Sequence, residues 1–161
     1  MAEELVFGLM EFLHTLFATI WIGGLLILAL IVFPIIKKNE SIEKKQKLII
    51  MDNIKNRLSP IIYLSIVVLF ITGLLLGKHS GQFAGLFIIT NTYSLVITIK
   101  HVLVIVMAII AIVRSRLMDR FKLEPDRKMK IMGLLIVINM ILGIAVLFLS
   151  GLSVAFGTAA P

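Results

Sequence analysis

The stretch that decides the fold is LVFGLMEFLHTLFATIWIGGLLILALIVFPII, residues 5–36, whose only formal charge is at Glu11. A helix of about 20 apolar residues crosses the roughly 30 Å hydrocarbon core of a bilayer, so this run is long enough to span it. Three further runs are similarly apolar: residues 60–77, 93–113 and 131–152. They lack the alternation of barrel strands. We therefore expect an all-α membrane protein, a four-transmembrane-helix up-and-down bundle forming one domain over residues 1–161.

Charge and composition indicate how this bundle is oriented. The chain is 60% hydrophobic with a net charge of +7, and seven Lys/Arg lie in each of two connecting loops, residues 37–59 and 114–130. Under the positive-inside rule these basic loops are cytoplasmic, and both termini lie outside. Because orientation accounts for the charge, we expect membrane lipid and no nucleic acid as partner, with the plasma membrane as location.

Two histidines lie within the apolar runs, His14 in the first and His101 in the third. Both runs enter the membrane from the same side in the predicted topology. At about 1.5 Å per helical residue, His14 lies roughly 13 Å and His101 roughly 12 Å below the start of its run. Both imidazoles are therefore expected at one level. Since ionisable groups inside a bilayer are costly and usually functional, this pair is the candidate site.

Glycines of the neighbouring runs are expected close to this level. Gly143 lies beside the histidines by the same counting, and Gly73 lies about one turn nearer the outside. Two imidazoles flanked by glycines indicate a slot for a flat ligand, and haem b fits because neutral imidazole is a common axial ligand of haem iron. The alternative is that each histidine only hydrogen-bonds a neighbouring helix.

Other polar residues extend the candidate site. Glu11 shares a helix face with His14 and lies at a depth close to that of Lys100. The carboxylate of Glu11 and the ammonium group of Lys100 are therefore expected to pair and to support a bound ligand. The alternative is that each side chain reaches the membrane interface separately. Trp21 lies two turns below His14 and would close the floor of the pocket. Together with Gly23-Gly24, it would otherwise serve close helix packing.

A copper site is the alternative to haem. Met10 precedes His14 by four residues, and a thioether beside an imidazole suits copper(I). Three further methionines lie in other runs: Met107, Met132 and Met140. Methionine in an apolar helix usually serves only packing. The chain has no cysteine, which excludes thiolate metal sites, Fe–S clusters and covalently attached haem.

The string from His14 through Trp21-Ile22-Gly23-Gly24 to Phe33-Pro34 resembles the first helix of the copper resistance D (CopD) domain family. Later strings are similar to that family too: Thr72-Gly73-Leu74-Leu75, Lys100 with the Arg114-containing helix end, Leu142-Gly143 and Ser150-Gly151. The resemblance covers nearly all of the chain through short motifs. It implies copper handling, although the loop before the third run lacks the Met/His clusters expected of copper capture.

The chain also resembles the related HemJ family, membrane protoporphyrinogen oxidases of four helices that bind haem b. These share an early His, a Trp-x-Gly turn and a third-helix Lys, so His14 and Lys100 match the functional pair by that resemblance. The chain departs from the family at Leu30-Ile31-Val32-Phe33-Pro34, where HemJ proteins carry a Pro-Arg-Leu-Phe-type string ending in His.

The leading prediction is a CopD/HemJ-like haem b protein with His14 and His101 as axial ligands. Two protein ligands leave iron no open position for substrate, so electron transfer with a redox partner is expected. Three alternatives stay open: copper binding or transport through Met10 and the two histidines, HemJ-like protoporphyrinogen oxidation, and a scaffold without cofactor. Gly133 in the fourth run is a candidate contact for a homodimer.

Overall fold

A computed structural model of the chain describes residues 1–79, 88–117 and 123–158, and these residues form helices without any strand. Four long helices make up the fold: α1 (Ala2–Lys38), α2 (Lys44–His79), α3 (Thr92–Arg116) and α4 (Pro125–Thr158). Each contains a stretch long and apolar enough to cross a membrane. The predicted all-helical class with four apolar helices is confirmed.

Contacts between the helices follow an up-and-down order. The first half of α1 meets the second half of α2 through His14 and Thr72. Along α4, Gly143 lies against Ile22, and Gly133 lies against Phe33. Residue numbers rise along α1 while they fall along α2 and α4, so α1 is antiparallel to both. The basic ends of the helices therefore gather at one end of the bundle, called here the basic end. The start of α1 and the end of α4 lie at the other, called here the terminal end.

Helix α2 corrects the predicted start of the second run. The run was expected to begin at Pro60, after a connecting loop over residues 37–59. Instead α2 runs without a break from Lys44, with Pro60 in its interior. Proline removes one backbone hydrogen bond of a helix, and the Ser59 hydroxyl donates to the Lys55 carbonyl at 2.7 Å one turn before it. Packing of the buried Met51 into the core holds this first part of α2 on the bundle.

Helices α1 and α3 contain wider, π-helical turns. They lie at Thr19–Gly23 and Leu28–Val32 of α1 and at Val113–Leu117, where α3 ends. The second of these π turns, Leu28–Val32, directly precedes Phe33-Pro34. A local widening of the backbone relieves the clash that proline makes with the preceding turn of a helix. Such turns also change the direction in which nearby side chains point. Trp21 and Arg114 lie in two of them.

The second predicted basic loop, residues 114–130, is also shorter than expected. Arg114 lies in the last turn of α3, and α4 begins at Pro125. Residues 118–122 of that loop lie outside the described residues. Helical structure therefore takes up much of both predicted loops.

The core lies mainly in the middle of the bundle and towards its basic end. Trp21, Phe33, Met51 and Met132 all belong to it. A Cβ on Gly133 would approach the Phe33 ring to 2.3 Å, so this glycine permits the close contact of α1 with α4. Gly133 is buried in this contact, so it offers no surface for the homodimer contact expected of it, and the homodimer itself stays a prediction. Large apolar side chains such as Phe70 and Phe148 cover the outside instead, as expected of helices in contact with lipid.

Candidate functional site

His14 is held by helix α2. Its Nδ1 lies 2.9 Å from the Thr72 Oγ1, and the Thr72 hydroxyl donates its only hydrogen to the Val68 carbonyl at 2.7 Å. The Thr72 oxygen is therefore the acceptor in the contact with His14, and the Nδ1–H is the donor. In the neutral imidazole this tautomer leaves Nε2 with its lone pair, the form in which histidine binds metals.

His101 has the same tautomer for a different reason. Its Nδ1 lies 2.7 Å from the Ile97 carbonyl, one turn earlier in α3. A carbonyl oxygen only accepts, so Nδ1 carries the hydrogen and Nε2 keeps its lone pair. Metal-binding histidines are commonly oriented in this way, through a hydrogen bond from the ring nitrogen that does not bind the metal.

Three of the predicted site residues come together in the bundle. Lys100 and His101 lie close enough to His14 for their charges to act on it. All three side chains are partly buried between the helices. Lys100 makes no hydrogen bond or ion pair within the described residues. The result is a cluster of two oriented imidazoles with one ammonium group, called here the histidine cluster.

The glycines do not form the predicted slot. A Cβ on Gly73 would lie 3.4 Å from the Cε1 of His14, so the imidazole itself covers this glycine. Gly143 lies deeper in the bundle, where a Cβ would meet Ile22 at 3.2 Å and Met107 at 3.4 Å. The predicted level of Gly143 is wrong because α4 extends to Thr158, beyond the apolar run from which the depth was counted. No opening for a flat haem therefore lies between these two glycines.

Two other predicted neighbours lie away from the histidine cluster. Glu11 is exposed on α1 and, among the residues described, forms no ion pair with Lys100; the predicted pair is absent. Trp21 is 3% exposed and belongs to the core. A Cβ on Gly23 or Gly24 would meet no atom within 4 Å, so this glycine pair does not serve the close helix packing considered for it.

Thr72 is a residue of the site whose role its sequence context does not reveal. It is buried, and it orients His14 from the neighbouring helix. The available signal was its position directly before Gly73, a polar residue on an otherwise apolar helix face. Its own hydroxyl bond to the preceding turn is common for threonine in a helix, so sequence alone did not separate this role from an ordinary one.

The methionines serve mainly the core. Met107 and Met132 are each 1% exposed and pack among apolar side chains, and Met140 packs against the same core. Met10 is partly buried near the terminal end. Within the described residues no group of three or more His, Cys, Asp or Glu side chains could hold a metal ion. The two imidazoles therefore suit an ion that accepts few protein ligands.

Comparison with known families gives one match. The family model described as "Copper resistance protein D" matches residues 53–153, more than half of the chain. The matched segment includes Thr72, Gly73, Lys100 and His101, whereas His14 precedes it. Comparisons with curated proteins and with solved structures gave no match. The relation to the HemJ family stays a prediction. With four helices that can span a membrane and this match, the chain is an integral membrane protein that belongs to the copper resistance protein D (CopD) family.

Proposed function

We propose that this protein handles copper in the membrane, binding copper(I) as its cargo through the Nε2 atoms of His14 and His101. Family membership favours copper over the other candidate ligands. The observation that carries the proposal is the shared tautomer of the two histidines, whose Nδ1 atoms are both engaged by acceptors at 2.9 and 2.7 Å. Imidazole is a suitable copper ligand, and the two rings are oriented before any ion arrives.

Lys100 favours a singly charged ion at this cluster. Its ammonium group lies in the same cluster as His14, where its charge acts on the imidazole. Coulomb repulsion between Lys100 and a bound cation is proportional to the charge of that cation. A divalent ion is therefore repelled about twice as strongly as copper(I) at the same position. The absence of a carboxylate cluster from the described residues acts in the same direction.

Haem b has weaker support as the ligand of the two histidines. A porphyrin needs an open face beside each ligand, but His14 covers Gly73, while Ile22 and Met107 occupy the space at Gly143. Electron transfer and porphyrinogen oxidation both depend on that haem, so they are secondary proposals. The absorption spectrum of the purified protein separates them from copper, since bound haem gives a Soret band and copper(I) does not.

The direct experiment is metal analysis of protein purified in detergent under reducing conditions and loaded with copper(I). We expect about one copper ion per chain in the wild type. The variants His14→Ala and His101→Ala should retain little copper after removal of free metal. Thr98→Val is the matched control because Thr98 bonds only to the Ser94 carbonyl of its own helix. Copper retention unchanged in both histidine variants would contradict the proposal.

We also propose a plasma-membrane location with both termini outside and the basic end in the cytoplasm. The charge of the basic end supports this orientation through the positive-inside rule. The chain has no cysteine, so single cysteines can report on it without background. In intact cells, an impermeant thiol reagent should label Ala2→Cys and leave Ser41→Cys, between α1 and α2, unlabelled until the cells are opened. The reverse pattern would contradict the orientation.

A further inference from the structure

A second polar feature lies deeper in the bundle, away from the histidine cluster. A cavity of about 100 Å³ lies between α1, α2 and α3. Most of its lining is apolar, but Trp21 and Arg114 also line it. One water molecule takes up roughly 30 Å³ in the liquid, so the cavity has room for a group of several heavy atoms. We refer to it as the arginine cavity.

Both polar residues of the arginine cavity are buried donors without an acceptor. Trp21 is 3% and Arg114 4% exposed. The Nε1 of Trp21 and the Nε of Arg114 have no hydrogen-bond partner, and no acid pairs with Arg114 in the described part of the chain. An unsatisfied buried donor destabilises the folded protein, and an unpaired buried charge does so more strongly. Two such donors lining one cavity indicate that a ligand completes the site.

Among the described residues Lys55 is also a buried cation, and its surroundings differ from those of Arg114. Lys55 is 6% exposed, and its Nζ lies 3.2 Å from the Asp52 carboxylate. Lys128 lies 3.4 Å from the same carboxylate. The protein thus pairs the buried lysine with an acid of its own, whereas the guanidinium group of Arg114 faces a cavity lined by apolar side chains and an indole N–H.

The backbone presents both donors to this cavity and leaves access to it. Trp21 lies in the π turn Thr19–Gly23, and Arg114 lies in the π turn Val113–Leu117. Such turns occur frequently at functional sites. Gly24 lines the cavity and also a larger neighbouring groove of about 500 Å³, which Arg57 lines too. A Cβ at Gly24 would meet no atom within 4 Å, so this side of the cavity is open.

We propose that the arginine cavity binds a phosphate group, with Arg114 neutralising its charge and Trp21 donating a second hydrogen bond. The planar guanidinium group matches phosphate oxygens through paired hydrogen bonds. Water could accept from either donor, but it would leave the charge of Arg114 uncompensated. The phosphate group comes either from an anionic lipid headgroup that enters from the groove at Arg57 or from free phosphate. This site is independent of copper binding, and its test contains no copper.

Trp21 gives a direct readout because it is the only tryptophan of the chain. Its fluorescence is recorded for the full-length protein in a neutral detergent during titration with sodium phosphate, against sodium chloride of equal ionic strength. A parallel sample is reconstituted in vesicles of phosphatidylcholine with increasing phosphatidylglycerol. The variant is Arg114→Gln. The control is Arg116→Gln, which removes an exposed guanidinium group that lies over the Tyr63 ring, outside the cavity.

We expect a saturable change in Trp21 fluorescence for the wild type and for Arg116→Gln, and an apparent affinity at least tenfold lower for Arg114→Gln. A response to sodium phosphate identifies free phosphate as the source. A response to phosphatidylglycerol alone identifies the lipid headgroup. The proposal is overturned if neither probe changes the fluorescence, or if Arg114→Gln responds like the wild type.

A second measurement does not depend on the folding of Arg114→Gln. Trp21→Phe keeps an aromatic ring at this position but removes the Nε1–H donor. Bound phosphate should raise the thermal midpoint of the wild-type protein, because a ligand of the folded state stabilises it. The rise at a given phosphate or phosphatidylglycerol concentration should be smaller in Trp21→Phe. An equal rise in both proteins would exclude Trp21 from the site.

Discussion

The histidine cluster and the arginine cavity are two polar levels of an apolar bundle, and they differ in the charge of the ligand that each suits. At the histidine cluster, the protein engages the Nδ1–H of His14 and His101 and leaves two lone pairs. At the arginine cavity, Trp21 and Arg114 present N–H groups that have no acceptor. The first arrangement suits a cation and the second suits an anion.

This difference shows how one bundle can present sites suited to ligands of opposite charge. Helix α1 contributes His14 to one level and Trp21 to the other, two turns apart. Helix α3 contributes His101 and Arg114, which are thirteen residues or about three and a half turns apart. A π turn lies at the second level in both helices and none interrupts them at the first. The change of backbone geometry along α1 and α3 therefore accompanies the change from lone pairs to N–H donors.

The largest expected effect follows from removing one imidazole. His14→Ala should weaken copper(I) binding at least about 100-fold, because loss of a ligand costs more than the 10–100-fold typical of its outer partners. Trp21 fluorescence should still respond to phosphate or phosphatidylglycerol. Competition against a copper(I) chelator measures the first property. Loss of both properties together would show that the two levels are not separate sites.

Removal of the partner of His14 should have the next largest effect. Thr72→Val keeps the shape of the side chain but removes the acceptor of the Nδ1–H, so the ring loses its fixed tautomer. We expect copper affinity to fall about 10–100-fold. Thr98→Val removes a hydroxyl that bonds within α3 and should bind copper like the wild type. The same chelator competition tests both variants, and equal affinities would remove Thr72 from the site.

Lys100→Met should act in the opposite direction. Removing the ammonium group removes its repulsion of a bound cation, so copper(I) should bind about tenfold more tightly, equivalent to about 1.4 kcal/mol. The gain for a divalent ion such as Zn²⁺ should be larger because its charge is doubled. Isothermal titration with each metal checks this difference. Weaker copper binding in Lys100→Met would mean that Lys100 supports the site.

The smallest expected effect is at Gly73. A Cβ there would make an ordinary contact with the His14 ring at 3.4 Å, and alanine is a better helix former than glycine by up to about 1 kcal/mol. Gly73→Ala should therefore bind copper within about threefold of the wild type and melt at an equal or higher temperature. A strong loss of binding would indicate that a ligand, and not only His14, faces Gly73.

Much of this architecture could be predicted from the sequence because hydropathy alone determines which segments need an apolar environment. Four helices follow from the four runs, and counting residues along them predicts that His14 and His101 lie near one level. Helix ends were less predictable. The local preference of proline for the first position of a helix predicts a helix start at Pro60. Packing of the first part of α2 into the core outweighs the cost of proline inside the helix.

The parts of the sites that were not predicted depend on register and on backbone irregularity. Gly143 was placed too near the histidines because the apolar run ends before α4 does. Arg114 was counted with a basic loop, although the π turn at the end of α3 directs it into the bundle. Hydropathy averages over a window of residues, so it reports neither a shift of one or two turns nor the direction of a single side chain.

The central claim is that His14 and His101 bind the same copper ion, and a double-mutant cycle tests it most directly. Copper(I) affinity is measured by chelator competition for the wild type, His14→Ala, His101→Ala and the double variant. If both imidazoles hold one ion, each single variant already loses the site, so the double variant should bind hardly more weakly than either. The account would be contradicted if the losses of copper(I) affinity in the two single variants simply added in the double variant. It would also be contradicted if the double variant kept its copper(I) affinity.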